Sequence, residues 1–441
     1  MTPEPTPLLQ RYFGILGRSQ PWRWRGRVVE SVAQTIESSG PLSSVGECCE
    51  ITDHLGRAHL AEVIGFRGSH VLTMPVGTTD GVRFGDVVTA LGVNPEIQVG
   101  SALMGRVLDA LGAPIDERPV PDVSFVMPLD GVVRSPLDRV PIRTPLGTGI
   151  RVLDGLLTVG RGQRVGIFGG SGVGKSTLIG MMTRNTEADV TVVGLVGERG
   201  REVAEFLDDA LGVEGRARSV VVVSTSDQSP LMRLKGALAA TTIAEFFANQ
   251  GKHVLLVIDS LTRFAMAARE IGLAAGEPPT AKGYTPSVFT RLARLVERCG
   301  QFRTGSITAF YTVLMEGDDQ QDPLVDAVRS LLDGHVVLSR GLAAEGWYPP
   351  VELLDSISRL LPAVTQPEHR EQAALLRRLM AVYMRSEDLV RIGAYKPGID
   401  LDLDRALRAR GAMRAFMTQD SHEHVSFTEC VRRLAALAAE V

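Results

Sequence analysis

Between Trp22 and about Val99, apolar and polar positions alternate in short pieces such as AEVIGF and VLTMPV, broken by turn residues at Ser39-Gly40-Pro41 and Thr79-Asp80-Gly81. Alternation with a period of two, interrupted at that spacing, predicts a small β-barrel or sandwich over residues 22–99. Residues 100–148 carry Pro114, Pro119, Pro121, Pro128, Pro136, Pro141 and Pro145. Proline lacks an amide hydrogen and fixes φ, so an extended connector is expected there rather than a helix or central strand. Over 149–340 the runs RVGIF, VTVVGLV, SVVVVS, VLLVID, SITAFYTVL and HVVLS are apolar throughout and alternate with helical segments. A strand apolar on both faces is buried on both faces, which predicts a parallel sheet flanked by crossover helices. Strands are expected to stop at Ser339. In 341–441, EQAALLRRLMAVYMRSEDLVRIG and VRRLAALAAEV repeat apolar residues every three to four positions, the spacing of a small helical domain.

The chain has 441 residues, 44% apolar and 22% charged, so it is long enough for more than one domain and globular in make-up. Lys and Arg number 47 against 51 Asp and Glu, for a net charge of −4, which argues against coating nucleic acid by bulk positive charge. Cys48, Cys49, Cys299 and Cys430 form no CxxC pair and have no histidines at metal-ligand spacing, so neither a disulfide framework nor a zinc site is expected. The opening MTPEPTPLLQRYFGILGRSQ has no basic start followed by an apolar run, and no apolar run reaches about 18 residues. A cytoplasmic setting is expected.

The strongest chemical signal is Gly169-Gly170-Ser171-Gly172-Val173-Gly174-Lys175-Ser176, between the strand RVGIF and a helical run that opens with Thr177. Glycines let successive amides turn inward around phosphates, and the following helix N-terminus adds positive character. Lys175 would reach the β- and γ-phosphates and the Ser176 hydroxyl would ligate Mg²⁺, which points to an ATP site. The run VLLVI ends in Asp259, at the strand end where open parallel sheets bind ligands and where a carboxylate would support the metal. After VTVVGLV comes Gly197-Glu198-Arg199-Gly200-Arg201-Glu202, where Glu198 is the candidate to orient the attacking water and Glu202 its competitor. Arg359, in DSISR, lies beyond the last expected strand and is one arginine among many on spacing alone.

These motifs, in this order, resemble the family of rotary ATP synthase α and β subunits and protein-export ATPases, most closely the flagellar export ATPase. The likeness runs from about Gly26 to Glu423 through GRVLDALGAPID, GERGREV, DSLTRFAMAAREIGLAAGEPPTAKGYTPSVF, GSITAFYTVLMEGDDQQDP and LDGHVVLSR. Against the injectisome ATPase, the alternative, GMMTRNTEADV and EGRARSVVVVSTSDQSPLMRLKGA look flagellar. The resemblance implies a RecA-like P-loop core, an N-terminal barrel, a helical C-terminus and a ring of subunits, with six expected. It implies that Lys175 and Ser176 hold phosphate and Mg²⁺, that Asp259 supports the metal and that Glu198 activates water. Arg359 falls at the arginine-finger position serving a neighbouring subunit, and Tyr348 at a position that packs on adenine. Arg199 and Arg263 match positions near the γ-phosphate or behind Glu198. Glu352 departs from the family, which has Asp there, and bears on the loop that carries Arg359; a second adenine-packing aromatic has no match. The implied partners are a flagellar stator protein on residues 1–21, where Leu8, Leu9, Tyr12, Phe13, Ile15 and Leu16 would form an apolar face, a central stalk protein, the export gate at the inner membrane, and export chaperones and substrates. A Rho-like RNA translocase would display aromatics among basic residues on its barrel, and the one such cluster, Trp22-Arg23-Trp24-Arg25, is expected ahead of it. A non-catalytic ring subunit would lack the carboxylate of Glu198.

Overall fold

The structure, a computed structural model, describes residues 23–131, 134–315 and 322–440. The segment 1–21, assigned to a stator partner, lies outside the described residues. The chain divides into two compact units.

The first comprises residues up to Glu96 together with Ser229–Met232 and Glu270–Pro278. Its strands are β1 (Arg25–Val32), β2 (Thr35–Ser39), β3 (Cys48–Thr52), β4 (Ala58–Arg67), β5 (His70–Pro75) and β6 (Val87–Ala90). They close in the order β1-β2-β5-β4-β3-β6, with β6 pairing back on β1, so no strand edge is left free. Val28, Ile36, Ile51, Val63, Val71 and Val88 fill the interior. The amide of Ala90 donates to the carbonyl of Trp24 at 3.0 Å, so Trp24 and Arg25 belong to the barrel wall rather than preceding it.

The second unit runs over Ile97–Gln228, Arg233–Arg269 and Pro279–Val441. Following β7 (Glu96–Val99), its strands are β8 (Val107–Asp109), β9 (Phe125–Pro128), β10 (Arg164–Gly169), β11 (Val190–Glu198), β12 (Ser219–Thr225), β13 (His253–Asp259), β14 (Gly300–Gln301), β15 (Ser306–Leu314), β16 (Gly334–Leu338) and β17 (Val351–Ser358). The main sheet has nine strands, in the order β17-β16-β10-β15-β13-β11-β12-β8, with β14 beside β15. The six apolar runs are its parallel centre.

Two expectations fail at its edges. The connector is not simply extended, because β8 adds itself in parallel to β12 before its prolines begin. The connector is pinned there by the buried pair Arg106 Nη2–Asp116 Oδ1 at 2.7 Å, and Asp116 also accepts from the amide of Val107. Nor do strands stop at Ser339, since β17 pairs antiparallel with β16. It buries Val351, Leu353 and Ser356 and leaves its other residues partly buried or exposed, the pattern of an edge strand.

The C-terminal helices Pro367–Arg391, Leu401–Met417 and Phe427–Ala439 share one apolar core with the sheet. The short helix Arg151–Leu156 docks them. Arg151 is buried, its Nε donating to the carbonyl of Phe416 at 3.0 Å and its guanidinium also reaching the carbonyls of Ala415 and Thr418 and the carboxylate of Glu423. Among the described residues no helix is long and apolar enough to cross a membrane.

Candidate active site

The carboxyl ends of β10, β11, β13 and β15 share one edge of the sheet, because all four strands are parallel. The phosphate loop leaves β10 there and enters the helix Lys175–Asn185. Gly172 and Gly174 have φ of +76° and +92°, a region in which any side chain is strained. Val173 is buried beneath the loop, whereas Ser171, Gly172, Ser176 and Thr177 face outward. Lys175 is buried, and its ammonium donates to the carbonyls of Gly169, at 3.0 Å, and Gly170. Burial lowers its pKa, opposed by the charges of Asp259 and Glu198, while the charge of Arg340 lowers it further.

Asp259 ends β13, two strands from the loop, and is buried, accepting from Thr312 Oγ1 at 2.5 Å. Burial raises its pKa, and the Thr312 bond and Lys175 pull it back. Glu198 ends β11. The ladder to β12 slips between Val196 and Glu198, a bulge at Gly197, where φ is +71°. A Cβ on Gly197 would stand 2.8 Å from Arg263 Cβ, so the glycine lets Arg263 pack behind Glu198. The Nε of Arg263 is buried without a partner. Burial, the charge of Asp259 and a hydrogen bond with Glu202 push the Glu198 carboxyl up to about 8.

Lys175, Asp259, Glu198 and Arg263 are therefore gathered, joined by direct packing or by the charge each feels from the others. Tyr348 joins them, its ring carbons 3.8 Å from the Cβ position of Gly174. The helical-domain segment meeting Tyr348 is Thr418–Gln419, whose amide at Gln419 donates to the Tyr348 carbonyl at 2.8 Å; it carries no aromatic residue. Arg199 is turned away: its side chain is 75% exposed, 3.9 Å from Glu202, as the cap of the helix Gly200–Glu205.

Arg359 is further still. Strand β17 starts at Val351, opposite Leu338 at the phosphate edge, and ends at Ser358, opposite Gly334. Arg359 follows, its amide donating to the carbonyl of Asp333 at 3.0 Å, about 13 Å of strand from the edge that holds its own phosphate loop. Glu352 sits inside β17 opposite Val337, just before a slip in the ladder. Ser356 Oγ stitches that slip, donating to the Glu352 carbonyl at 2.6 Å and accepting from the Val337 amide at 2.9 Å.

One residue missed in the sequence stands against the loop. A Cβ on Gly170 would lie 2.4 Å from Arg340 Nη2. Its only signal is that it follows HVVLS, a strand that ends at the phosphate edge.

The site fits a polyphosphate: glycines of positive φ, a buried ammonium held by two backbone carbonyls and an orphaned guanidinium nitrogen are the groups that anionic oxygens satisfy. Among the described residues no three His, Cys, Asp or Glu side chains gather around a point. One carboxylate and one hydroxyl are a donor set for a cation held chiefly by its substrate's phosphates.

Family models match in three stretches: the nucleotide-binding domain of the ATP synthase alpha/beta family over 149–358, the beta-barrel domain of that family over 34–92, and the T3SS EscN ATPase C-terminal domain over 365–436. The flagellum-specific ATP synthase of Treponema pallidum is 50% identical over 435 residues, covering 98% of this chain and 96% of that protein. The SPI-2 type 3 secretion system ATPase of Salmonella typhimurium is 49% identical, covering 91% and 92%. A solved structure of the assembled ATPase EscN with its central stalk EscO, from the enteropathogenic E. coli type III secretion system, superposes with a TM-score of 0.87 at 41% identity, covering 94% of this chain and all of that one. The chain belongs to the ATP synthase alpha/beta family, among its flagellum-specific and type III secretion ATPases.

Proposed function

We propose that this type III export ATPase works as one subunit of a ring, with six expected, at the cytoplasmic face of a flagellar export apparatus, and that each of its sites is completed by the neighbouring subunit. The position of Arg359 carries this reading: it lies at the edge of the sheet opposite its own phosphate loop. The resemblance of EscN, solved as an assembly with a central stalk, supports both a ring and a stalk partner. The stator protein, export gate, chaperones and substrates are further partners of this reading, and GMMTRNTEADV and EGRARSVVVVSTSDQSPLMRLKGA favour the flagellar system over the injectisome.

In this mechanism the loop amides of Gly169 to Gly174 and the ammonium of Lys175 hold the phosphates, with Thr177 in the first helical turn beside them, and Tyr348 packs on the adenine. Ser176 and Asp259 would hold Mg²⁺, which when bound supplies positive charge to the phosphates. Lys175 gives up its bonds to the carbonyls of Gly169 and Gly170 for phosphate oxygens, whose charge offsets the cost of its burial. Glu198, ionised, orients a water and takes its proton as the water oxygen bonds to the γ-phosphorus and the bond to ADP breaks. Arg263, behind Glu198, fixes the carboxylate's orientation. Arg359 of the neighbouring subunit meets the charge on the transferring group, and Arg199 stays at the rim.

The test is to mix two inactive variants, Arg359→Ala and Glu198→Gln, under conditions that exchange subunits. An interface with Glu198 from the first and Arg359 from the second is complete, so activity returns on mixing, and wild-type specific activity rises with concentration as rings form. Absence of recovery, together with full activity in dilute monomer, overturns the reading. Restored motility in a host lacking its own flagellar ATPase tests the flagellar assignment.

A further inference from the structure

Strands β10 and β16 are parallel neighbours, with Phe168 opposite Val337. Both chains therefore leave the sheet at the same edge, and Leu338 Cβ stands 3.1 Å from the Cβ position of Gly169. Immediately beyond Leu338 the chain is tied down: the Ser339 amide donates to the Pro350 carbonyl at 2.9 Å, and the Ser339 hydroxyl caps the next turn. Strand register thus delivers the Arg340 backbone to the edge that carries the loop. A Cβ on Gly170 would meet its Nη2 at 2.4 Å, its Nε at 2.6 Å and its Cζ at 2.8 Å. Gly170 has no positive φ, so what its missing side chain provides is room for this guanidinium.

Lys175 converges on the same glycine, donating to its carbonyl. Two cations thus flank one residue of the loop. Like charges held together without a shared anion are unfavourable, and a binding site is where such a cost is repaid on occupancy. Among the described residues Arg340 has no ion-pair or hydrogen-bond partner. The other arginines of the site are committed elsewhere: Arg199 outward, Arg263 behind Glu198, and Arg359 at the far edge.

We propose that Arg340 is a nucleotide-binding residue of its own subunit's site, its guanidinium contacting terminal phosphate oxygens of ATP alongside Lys175. It is the arginine acting in cis where Arg359 acts in trans. The inference rests on the reading of residues 169–176 as the phosphate loop.

The experiment measures dissociation constants of fluorescent ATP and ADP analogues for the full-length wild type and for Arg340→Ala, Arg340→Lys and Lys175→Ala. Folding of each is checked by circular dichroism. Arg340→Ala weakens ATP by about tenfold or more and ADP by only a few-fold, the cost of one charged hydrogen-bonding partner on the terminal phosphate. Arg340→Lys recovers part of the loss, and millimolar guanidinium restores ATP binding and turnover in Arg340→Ala but not in the wild type. If Lys175→Ala loses ATP binding while Arg340→Ala keeps it within about twofold, the role of Arg340 is overturned and the loop reading stands. Equal weakening of ATP and ADP without guanidinium rescue also overturns it, as a structural effect on the loop. Unimpaired ATP binding by Lys175→Ala overturns the loop reading itself.

Discussion

Replacing Gly197 by alanine perturbs the site without replacing any charged residue. The residue has φ of +71°, where a Cβ costs about 1–2 kcal/mol. The new methyl would stand 2.8 Å from Arg263 Cβ, 3.0 Å from its Cγ and 3.3 Å from its Cδ, so the arginine must move. Overpacking of this kind costs about 1–3 kcal/mol, which puts the expected loss of stability at about 2–5 kcal/mol. The neighbouring Glu198 is displaced with the bulge, and a shift of about 1 Å at a reacting group lowers kcat by about 10²-fold. Gly200→Ala is the control, three residues on, where a Cβ meets nothing within 4 Å and φ is ordinary. It is expected to be neutral or to stabilise by about 0.4–1 kcal/mol. Urea unfolding and steady-state ATPase assays on the two variants and the wild type decide. Wild-type stability and kcat in Gly197→Ala would show that the bulge does not aim Glu198.

Burial, Asp259 and Glu202 push the Glu198 carboxyl up to about 8, and a base must be ionised to take a proton, so kcat/KM should climb as pH rises towards 8 and level off above it. Glu202→Gln removes a negative neighbour and its hydrogen bond, so the rising limb should move to lower pH; an unmoved limb would assign it to another group. Arg151→Ala strands the carbonyls of Phe416 and Thr418, whereas Glu423 keeps Arg433 at 3.4 Å, and should destabilise by about 2–4 kcal/mol in urea. Arg201→Ala, on an exposed pair with Glu205, should change stability by less than about 0.5 kcal/mol, and equal effects would refute the docking role of Arg151.

The central strands were legible because each is a run of residues apolar on both faces, a pattern only a covered sheet supports. The phosphate loop was legible because it is local: eight consecutive residues carry it. The edges were not. Strand β8 is three residues long and precedes a proline-rich stretch, and β17 mixes Glu352, Asp355 and Ser358 with its apolar positions. An edge strand needs only one dry face, so its sequence resembles a loop. Arg340 was invisible for another reason, since its meeting with Gly170 depends on the register of two strands distant in the chain. The separation of Arg359 from its own loop depended likewise on β17 running antiparallel, which no local pattern encodes.

That antiparallel strand makes a lever of the subunit. Tyr348 and Pro350 precede β17 beside Gly174, Arg359 follows it, and the strand carries the chain about 13 Å from one edge of the sheet to the other. The ladder between them is interrupted where Ser356 Oγ bridges Glu352 and Val337, so under the proposed reading a displacement of Tyr348 would reach Arg359 through that one hydroxyl rather than through an unbroken ladder. In the proposed ring, that hydroxyl would link occupancy of one subunit's site to the finger serving the next, with no separate messenger.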